Sequence, residues 1–229
     1  MTSGADPRAL RPLVVWGASG HAKVLAEFVA HSGYRLEVLF DNDPRVASPV
    51  EGVPIFTGEA GFRSWRSKHP GEQACLVAIG GARGGERLAI QARLQAHGLH
   101  PVVAVHPTAY VALGARLGPG SQVLAHATLA AEAYAGLGVI VNTAASVDHE
   151  CRLGDGVHIA PGAVLAGQVT VGDRSFVGTG AVVLPRIAIG RDCIVGAGSV
   201  VTRDLPDGVV AYGNPARVAR QVGTGSVDL

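Results

Sequence analysis

The strongest constraint on the fold of this chain is a six-residue repeat that runs from Val105 to Val201 without a slip. Of the seventeen positions reached in steps of six, sixteen hold Ile, Leu or Val, and Ala135 is the exception. The position four residues after each is mostly Ala, Ser, Cys or Val. A period of six matches neither the helical period nor the alternation of a half-buried strand. It is typical of a parallel β-helix built from hexapeptide repeats.

Each hexad is expected to supply a short strand and a turn, with the aliphatic residue inside and the small residue filling the corner. No single hexad buries its apolar side chain alone, so stacked hexads form one core whose two ends need covers. We predict this solenoid over residues 105–203, with another domain before it. Residues 204–229 are predicted to form a C-terminal cap and tail, with TGSVDL at 224–229 frayed.

The first hundred residues predict an α/β architecture. A buried strand, LVVW at 13–16, precedes a glycine turn, a helix over 22–33 and a second strand, LEVLF at 36–40. A further strand, glycine turn and helix follow, and PVVAV at 101–105 is the last predicted strand. Strands that alternate with helices are typical of a parallel sheet covered on its faces. We therefore predict a Rossmann-like domain over residues 12–104.

Composition and charge exclude several functional classes. Hydrophobic residues make up 48% of the chain but aromatic residues only 5%, which suits thin repeated layers. The formal net charge is +1 with no run of like charge, so neither a nucleic acid nor a membrane is a predicted partner. Neither a secretory leader nor a CxxC spacing is present, and Cys151 and Cys193 occupy inward positions. The sequence predicts a protein of the reducing cytoplasm whose cysteines are inert.

Glycines and acids at one edge of the first domain predict a nucleotide pocket. Glycines between a strand and a helix let backbone N–H groups approach a phosphate. The first such loop departs from GxGxxG, and by itself it fits a tight turn without a ligand equally well. Acids after the second strand and a later glycine turn open at the same edge, where α/β sheets bind ligands. These residues are Gly17, Ser19, Gly20, His21, Asp41, Asp43, Gly80 and Gly81.

His149 is the histidine whose neighbours indicate chemistry. It lies between Asp148 and Glu150, and a carboxylate beside an imidazole fixes its tautomer for general-base catalysis. A solvated acidic turn without a role is the alternative. If three hexads form one coil, Gly167 stacks on His149 and leaves space beside the imidazole. His158 falls half a coil away on another edge, from which it is expected to reach a neighbouring subunit's site in a trimer.

Metal and covalent catalysis are not predicted. The zinc enzymes with a β-helix fold need two histidines five residues apart, and none of the nine histidines has that spacing. No serine nucleophile elbow occurs either. The expected reaction therefore uses no metal and no acyl-enzyme.

Four segments resemble those of a known family. They are VVWGASGHAKVLAEF at 14–28, FDND at 40–43, NTAASVDHECRLGDGVHIAPGAVLAGQVTVG at 142–172 and GNPAR at 213–217. Together they resemble the left-handed β-helix acetyltransferases with an N-terminal nucleotide-sugar domain. This family includes UDP-4-amino-sugar N-acetyltransferases, perosamine N-acetyltransferases and proteins described as sialic acid O-acetyltransferases.

The resemblance implies acetyl-CoA as co-substrate and a homotrimer with sites between subunits. It implies that His149 is the general base and Glu150 its carboxylate partner. The residues implied to lie beside acetyl-CoA are Asn142, His158, Gly167 and Ala197. The residues implied to hold the nucleotide are Gly17, Ser19, Gly20, His21, Asp41 and Asn42. Gly80 is predicted to lie beside them, at the same edge of the sheet.

We therefore predict direct transfer of acetyl from acetyl-CoA to the amine of a UDP- or GDP-linked amino sugar, for bacterial glycan biosynthesis. One alternative is a sialic acid O-acetyltransferase, because the same base would serve a hydroxyl acceptor. An alternative of another class is a sugar-nucleotide-binding scaffold without catalytic activity. Nothing in the sequence distinguishes an amine from a hydroxyl acceptor.

Overall fold

The structure is a computed structural model that describes residues 10–223. Residues 1–9, part of the segment predicted to lack a secretory leader, lie outside the described range, as does the predicted frayed tail at 224–229.

The N-terminal domain is a parallel five-stranded sheet with helices packed on it, as predicted. Its elements are β1 (Arg11–Trp16), α1 (Gly20–Ala26), β2 (Tyr34–Asp41), β3 (Ile55–Thr57), α2 (Gly58–Lys68), β4 (Gln73–Val77), α3 (Gly84–Ala96) and β5 (Leu99–Pro101). The strands lie in the order β3-β2-β1-β4-β5. The central strands are buried runs of aliphatic and aromatic residues, which is expected for a sheet covered on both faces.

The first helix is shorter than predicted. Instead of a helix over 22–33, α1 ends at Ala26 and a 3₁₀ turn follows before Gly33, which has φ 84°. Phe28 leaves the helical region with φ −133°. This break turns the Phe28 ring into the core, where it meets His106 edge-on at 5.1 Å, so tertiary packing overrides the helical pattern.

The predicted strand over 101–105 is also wrong, because the segment divides between two sheets. β5 ends at Pro101, and the backbone N–H of Val102 donates a hydrogen bond to the carbonyl oxygen of Cys75 in the N-terminal sheet. The next strand starts at Ala104 and pairs with a strand of the solenoid. The chain changes direction there.

The repeat region forms the predicted left-handed parallel β-helix, with two-residue strands and eighteen residues in each coil. Sheet I contains β6 (Ala104–Val105), β9 (Gln122–Val123), β12 (Ile140–Val141), β15 (His158–Ile159), β18 (Phe176–Val177) and β21 (Ile194–Val195). Sheet II contains β7 (Tyr110–Val111), β10 (Thr128–Leu129), β13 (Ser146–Val147), β16 (Val164–Leu165), β19 (Val182–Val183) and β22 (Val200–Val201). Sheet III contains β8 (Arg116–Leu117), β11 (Tyr134–Ala135), β14 (Arg152–Leu153), β17 (Thr170–Val171) and β20 (Ala188–Ile189).

The second residue of each strand points inward, as the six-residue period requires. Val123, Leu129 and Val141 are fully buried, and Cys151 and Cys193 lie in the same core. Burying a Val or Leu side chain contributes about 1.5–3 kcal/mol, so repeated coils accumulate stability without aromatic packing. Burial also raises the pKa of both cysteine thiols, which keeps them protonated and unreactive.

Three corners join the sheets and carry the site. Corner 1, between sheets I and II, includes residues 142–145, and corner 2, between sheets II and III, includes 148–151. Corner 3, between sheets III and I, includes 154–157. At the C-terminal end, β23 (Val209–Gly213) pairs with β21 and forms an antiparallel hairpin with β24 (Ala216–Gln221).

Arg87 on α3 fastens the N-terminal domain to the solenoid. Its guanidinium is fully buried and donates to the carbonyl oxygens of Ile79 at 2.7 Å, Gly138 at 2.7 Å and Gly156 at 2.6 Å. Burial lowers the pKa of Arg87 to about 10, so it stays charged at neutral pH. The domain therefore sits over corner 3 and sheet I of its own chain.

Candidate active site

Six of the predicted nucleotide-binding residues line one cavity of about 390 Å³ at the carboxyl edge of the N-terminal sheet. They are Gly17, Ser19, Asp41, Asn42, Asp43 and Gly80. Three separate strands deliver these residues to one edge, which is where open α/β sheets bind ligands.

The loop after β1 is held in place by Asp41. Oδ2 of Asp41 accepts a hydrogen bond from Ala18 N at 2.8 Å, and Oδ1 accepts from Asp43 N at 3.0 Å. Gly17 has φ 103°, and a Cβ there would lie 2.6 Å from the carbonyl oxygen of Ala78. Only glycine fits this position, because both the backbone conformation and the space exclude a side chain.

Three predicted nucleotide-binding residues, Gly20, His21 and Gly81, do not line this cavity. His21 points toward the solenoid, where its Nε2 lies 2.6 Å from Oε1 of Gln122. Gln122 donates its own amide to the carbonyl of Val77, so His21 is the donor of the first bond. Burial lowers the pKa of His21, which keeps the ring neutral at the domain interface.

The sequence reasoning missed two charged residues of the cavity, Arg83 and Glu86. They form an ion pair with Arg83 Nε at 2.6 Å from Oε2 of Glu86. Arg83 directly precedes α3, and Glu86 lies in the first turn of that helix. The glycine-rich segment at the start of α3 is the sequence pattern that could have indicated both residues.

His149 and Glu150 form an exposed pair at corner 2. Nδ1 of His149 lies 3.0 Å from Oε2 of Glu150, and His149 N donates to Oδ1 of Asp148 at 2.7 Å. Hydrogen bonds from Gln168, first, and from His149 lower the pKa of Glu150, so the carboxylate is ionised at neutral pH. An ionised Glu150 requires the proton of His149 on Nδ1, which leaves a free lone pair on Nε2.

Gly167 opens the space in front of this lone pair, as the eighteen-residue stacking predicted. A Cβ at Gly167 would overlap Nε2 of His149 and lie 2.5 Å from Cε1. Within the described part of the chain, no acceptor is found for the Gly167 N–H. The imidazole therefore faces bare backbone with an unused donor, an arrangement that accommodates a thioester.

His158 is buried beneath the N-terminal domain of its own chain. Nδ1 of His158 lies 3.3 Å from the carbonyl oxygen of Gly81, and Nε2 lies 3.0 Å from Nδ2 of Asn142. A carbonyl only accepts, so Nδ1 carries the proton. Burial, and then the charge of Arg87, lower the pKa of His158 to about 3. The imidazole is therefore neutral near pH 7. It links the carbonyl group of Gly81 to the side chain of Asn142 by hydrogen bonds and does not serve as a base.

The predicted acetyl-CoA residues fall into two groups on different corners. Gly167 joins His149 at corner 2. Asn142 and the exposed Ala197 lie on corner 1, and His158 lies beside Asn142 on sheet I. The cavity at the sheet edge belongs to the second group, because Gly80 lines it and a Cβ on Gly80 would lie 3.4 Å from Cε1 of His158. In a single chain, His149 and this cavity therefore lie on different sides of the solenoid.

Residues 10–223 contain no group of three side chains able to hold a metal ion. Over the same residues, every helix is too short or too polar to cross a bilayer.

A hexapeptide solenoid, a histidine with a carboxylate partner at a glycine-lined corner and an α/β domain with a pocket at its sheet edge define a hexapeptide-repeat acyltransferase with a nucleotide-binding domain. Two family models match the chain accordingly. The PglD N-terminal domain matches residues 12–91, and the bacterial transferase hexapeptide (six repeats) matches residues 168–203. No curated protein gives a significant match.

Several solved structures are similar over nearly the whole chain. A point mutant of the perosamine N-acetyltransferase from Caulobacter crescentus, in complex with CoA and GDP-perosamine, is 39% identical, with a TM-score of 0.84 over 92% of this chain and 97% of that chain. The acetyltransferase domain of PglB from Neisseria gonorrhoeae FA1090, in complex with acetyl coenzyme A, is 38% identical, with a TM-score of 0.81 over 92% and 100%. WeeI from Acinetobacter baumannii AYE is 27% identical, with a TM-score of 0.80 over 90% and 99%. The chain belongs to this family of acetyl-CoA-dependent sugar N-acetyltransferases.

Proposed function

We propose that this enzyme transfers acetyl from acetyl-CoA to the amine of a nucleotide-linked 4-amino sugar, at sites formed between the subunits of a homotrimer. The single observation that carries the chemistry is the corner 2 arrangement, in which Nε2 of His149 faces Gly167 and Nδ1 faces Glu150. Similarity to an enzyme with bound GDP-perosamine supports an amino-sugar acceptor.

Three-fold symmetry would bring the two groups of site residues together. Corners 1 and 2 are the two edges of sheet II. If sheet II of each solenoid faces a common axis, corner 2 of one subunit meets corner 1 of the next. His149 and Gly167 would then face Asn142, His158 and the nucleotide cavity of the neighbour.

The surface of sheet II supports this packing. Its outward residues include Val164, 40% exposed, and Val182, 36% exposed, with Leu184 beside them, 41% exposed. The N-terminal domain covers much of sheet I, and sheet III carries Arg116 and Arg152 outward. An uncovered apolar face is typical of a protein interface.

The reaction is direct. Nε2 of His149 accepts the proton of the amine as the new C–N bond forms. When the C–S bond breaks, the protonated imidazole returns this proton to the departing thiolate, so CoA leaves as the thiol. Glu150 holds the imidazole in the required tautomer and stabilises its charged form. The Gly167 N–H, for which no acceptor is found among the described residues, is expected to donate to the developing oxyanion. No nucleophilic side chain takes part, so a ternary complex and no acyl-enzyme is expected.

The test is release of CoA thiol from acetyl-CoA with UDP-, GDP- and dTDP-linked amino sugars, sialic acid and CMP-sialic acid. Release with an amino sugar, and a loss of about 100-fold or more in kcat for His149→Ala, is the expected result. Release with a sialic acid alone would replace the proposal by O-acetylation. Nucleotide-sugar binding without acetyl-CoA binding would leave a non-catalytic scaffold. A cytoplasmic location stays a prediction, which cell fractionation would check.

A further inference from the structure

A column of polar side chains continues from the catalytic pair along corner 2. Glu150, Gln168 and Arg186 lie one coil apart and have φ values of 58°, 64° and 63°. This left-handed conformation is unfavourable for residues with a Cβ, whereas glycine adopts it freely. At corner 1 the equivalent positions of the later coils, 162, 180 and 198, are glycines. Corner 2 therefore retains side chains where the backbone favours glycine.

These side chains form a continuous hydrogen-bonded series that ends on the base. Arg186 Nε donates to Oε1 of Gln168 at 3.0 Å, and Gln168 Nε2 donates to Oε2 of Glu150 at 3.0 Å. The same Oε2 accepts from Nδ1 of His149. Every donor in the series meets an acceptor, with the positive charge at one end and the imidazole at the other.

The direction of the series fixes each group. Because Arg186 can only donate, it holds Oε1 of Gln168 toward itself and turns the NH₂ group toward Glu150. The reversed amide would present an oxygen to the carboxylate, which is repulsive. Gln168 thus anchors the oxygen of Glu150 that also bonds His149.

We propose that Gln168 and Arg186 are positioning residues for the base, acting on His149 through Glu150. This inference rests on the proposed function. They contact neither reacting atom; they hold the carboxylate so that the imidazole keeps Nε2 toward Gly167.

A second pair of side chains that are stacked one coil apart and hydrogen-bonded to each other provides the control. At corner 3, Arg174 Nε donates to Oδ1 of Asp192 at 2.7 Å, and both residues also have positive φ. That pair ends on no site residue. Like Gln168→Gly, Asp192→Gly therefore removes a side-chain hydrogen bond between adjacent coils and relieves backbone strain. Unlike Gln168→Gly, it leaves the hydrogen bonds that lead to His149 unchanged.

The experiment compares steady-state kinetics of the full-length Gln168→Gly, Arg186→Gly and Asp192→Gly enzymes. Because glycine suits these φ values, folding is expected to be retained, and thermal melting checks this. For Gln168→Gly and Arg186→Gly we expect kcat about 10-fold lower, as for loss of a hydrogen bond to a charged group, with both KM values within about twofold. Asp192→Gly should keep kcat within about twofold of the unaltered enzyme.

The decisive measurement is a double-mutant cycle with Glu150→Gln. A positioning role through Glu150 predicts that adding Gln168→Gly to Glu150→Gln lowers kcat no further. Losses that multiply, an unchanged kcat in Gln168→Gly, or a rise confined to the KM of acetyl-CoA in Arg186→Gly would overturn the inference. Wild-type activity that His149→Ala abolishes keeps the proposed function intact in each of those cases, so the two failures are distinguishable.

Discussion

At the scale of single residues, two histidines nine positions apart illustrate how environment assigns roles. His149 is half exposed and bonded to a carboxylate, whereas His158 is buried between Gly81 and Asn142. Only His149 has a free nitrogen lone pair facing open space. His158 instead ties the loop of the nucleotide cavity to corner 1.

Burial of a neutral His158 makes folding stability depend on pH. Its pKa is about 3 in the folded chain against about 6.5 when unfolded, so the unfolded chain binds more protons between these values. Stability is therefore complete above pH 6.5 and is lost as the pH falls toward 3. The glutamine of His158→Gln stays neutral at every pH. Between pH 7 and 4.5, the free energy of unfolding of this variant should therefore fall by about 2 kcal/mol less than that of the wild type, as measured by urea unfolding. The exposed His100→Gln is the control, and a parallel pH dependence for wild type and His158→Gln would contradict the prediction.

At the scale of elements, α3 joins the two domains through Arg87 and through Gln91, whose Nε2 donates to the carbonyl oxygen of Pro119 at 3.1 Å. Arg87 has no carboxylate partner among the described residues and donates to four carbonyl groups instead. One of them, Ile79, precedes the glycine turn of the cavity. The helix therefore sets the position of the cavity relative to corner 3.

Replacing Arg87 by Met removes these donors while keeping the apolar stem. Carbonyl groups left buried without partners should destabilise the N-terminal domain by about 3 kcal/mol. Fluorescence of Trp16 and Trp65 during urea unfolding measures this, since both lie in that domain. Arg63→Met, on the exposed side of α2, should change stability by less than about 0.5 kcal/mol. Equal effects of the two variants would refute the role assigned to Arg87.

At the scale of the whole molecule, the three faces of the solenoid have different characters. The N-terminal domain covers much of sheet I, sheet III presents Arg116 and Arg152 outward, and sheet II presents the exposed side chains of Val164 and Val182. The proposed trimer uses sheet II and builds each site from two chains.

Two measurements test this assembly. Val164→Arg on sheet II should yield monomers by light scattering and abolish activity, whereas Thr170→Arg on sheet III should remain trimeric and active.

Ser19→Trp fills the nucleotide cavity without removing a capping hydrogen bond. Coexpressed with His149→Ala, it should restore about a quarter of wild-type activity, because mixed neighbours combine an intact base with an intact cavity. Absence of any restored activity would place the complete site within one chain.

The sequence by itself determined the solenoid. Each inward position of a hexad is decided by its own residue type, and the fixed period makes the stacking follow by counting. This is why Gly167 could be placed against His149, and why glycines and acids at strand ends located most of the nucleotide cavity. The acids on either side of His149 indicated a carboxylate partner, and the resemblance to the family assigned that role to Glu150.

The tertiary structure decided how the two domains meet. The burial of His158 and the turn of His21 toward Gln122 depend on Arg87 and its carbonyl partners, which are up to about seventy positions apart in sequence. Arg186 reaches the base through side chains one coil apart, a relation that residue types alone do not reveal. Periodicity fixes contacts within a repeat, but it carries no information about which surface a non-repeating domain covers.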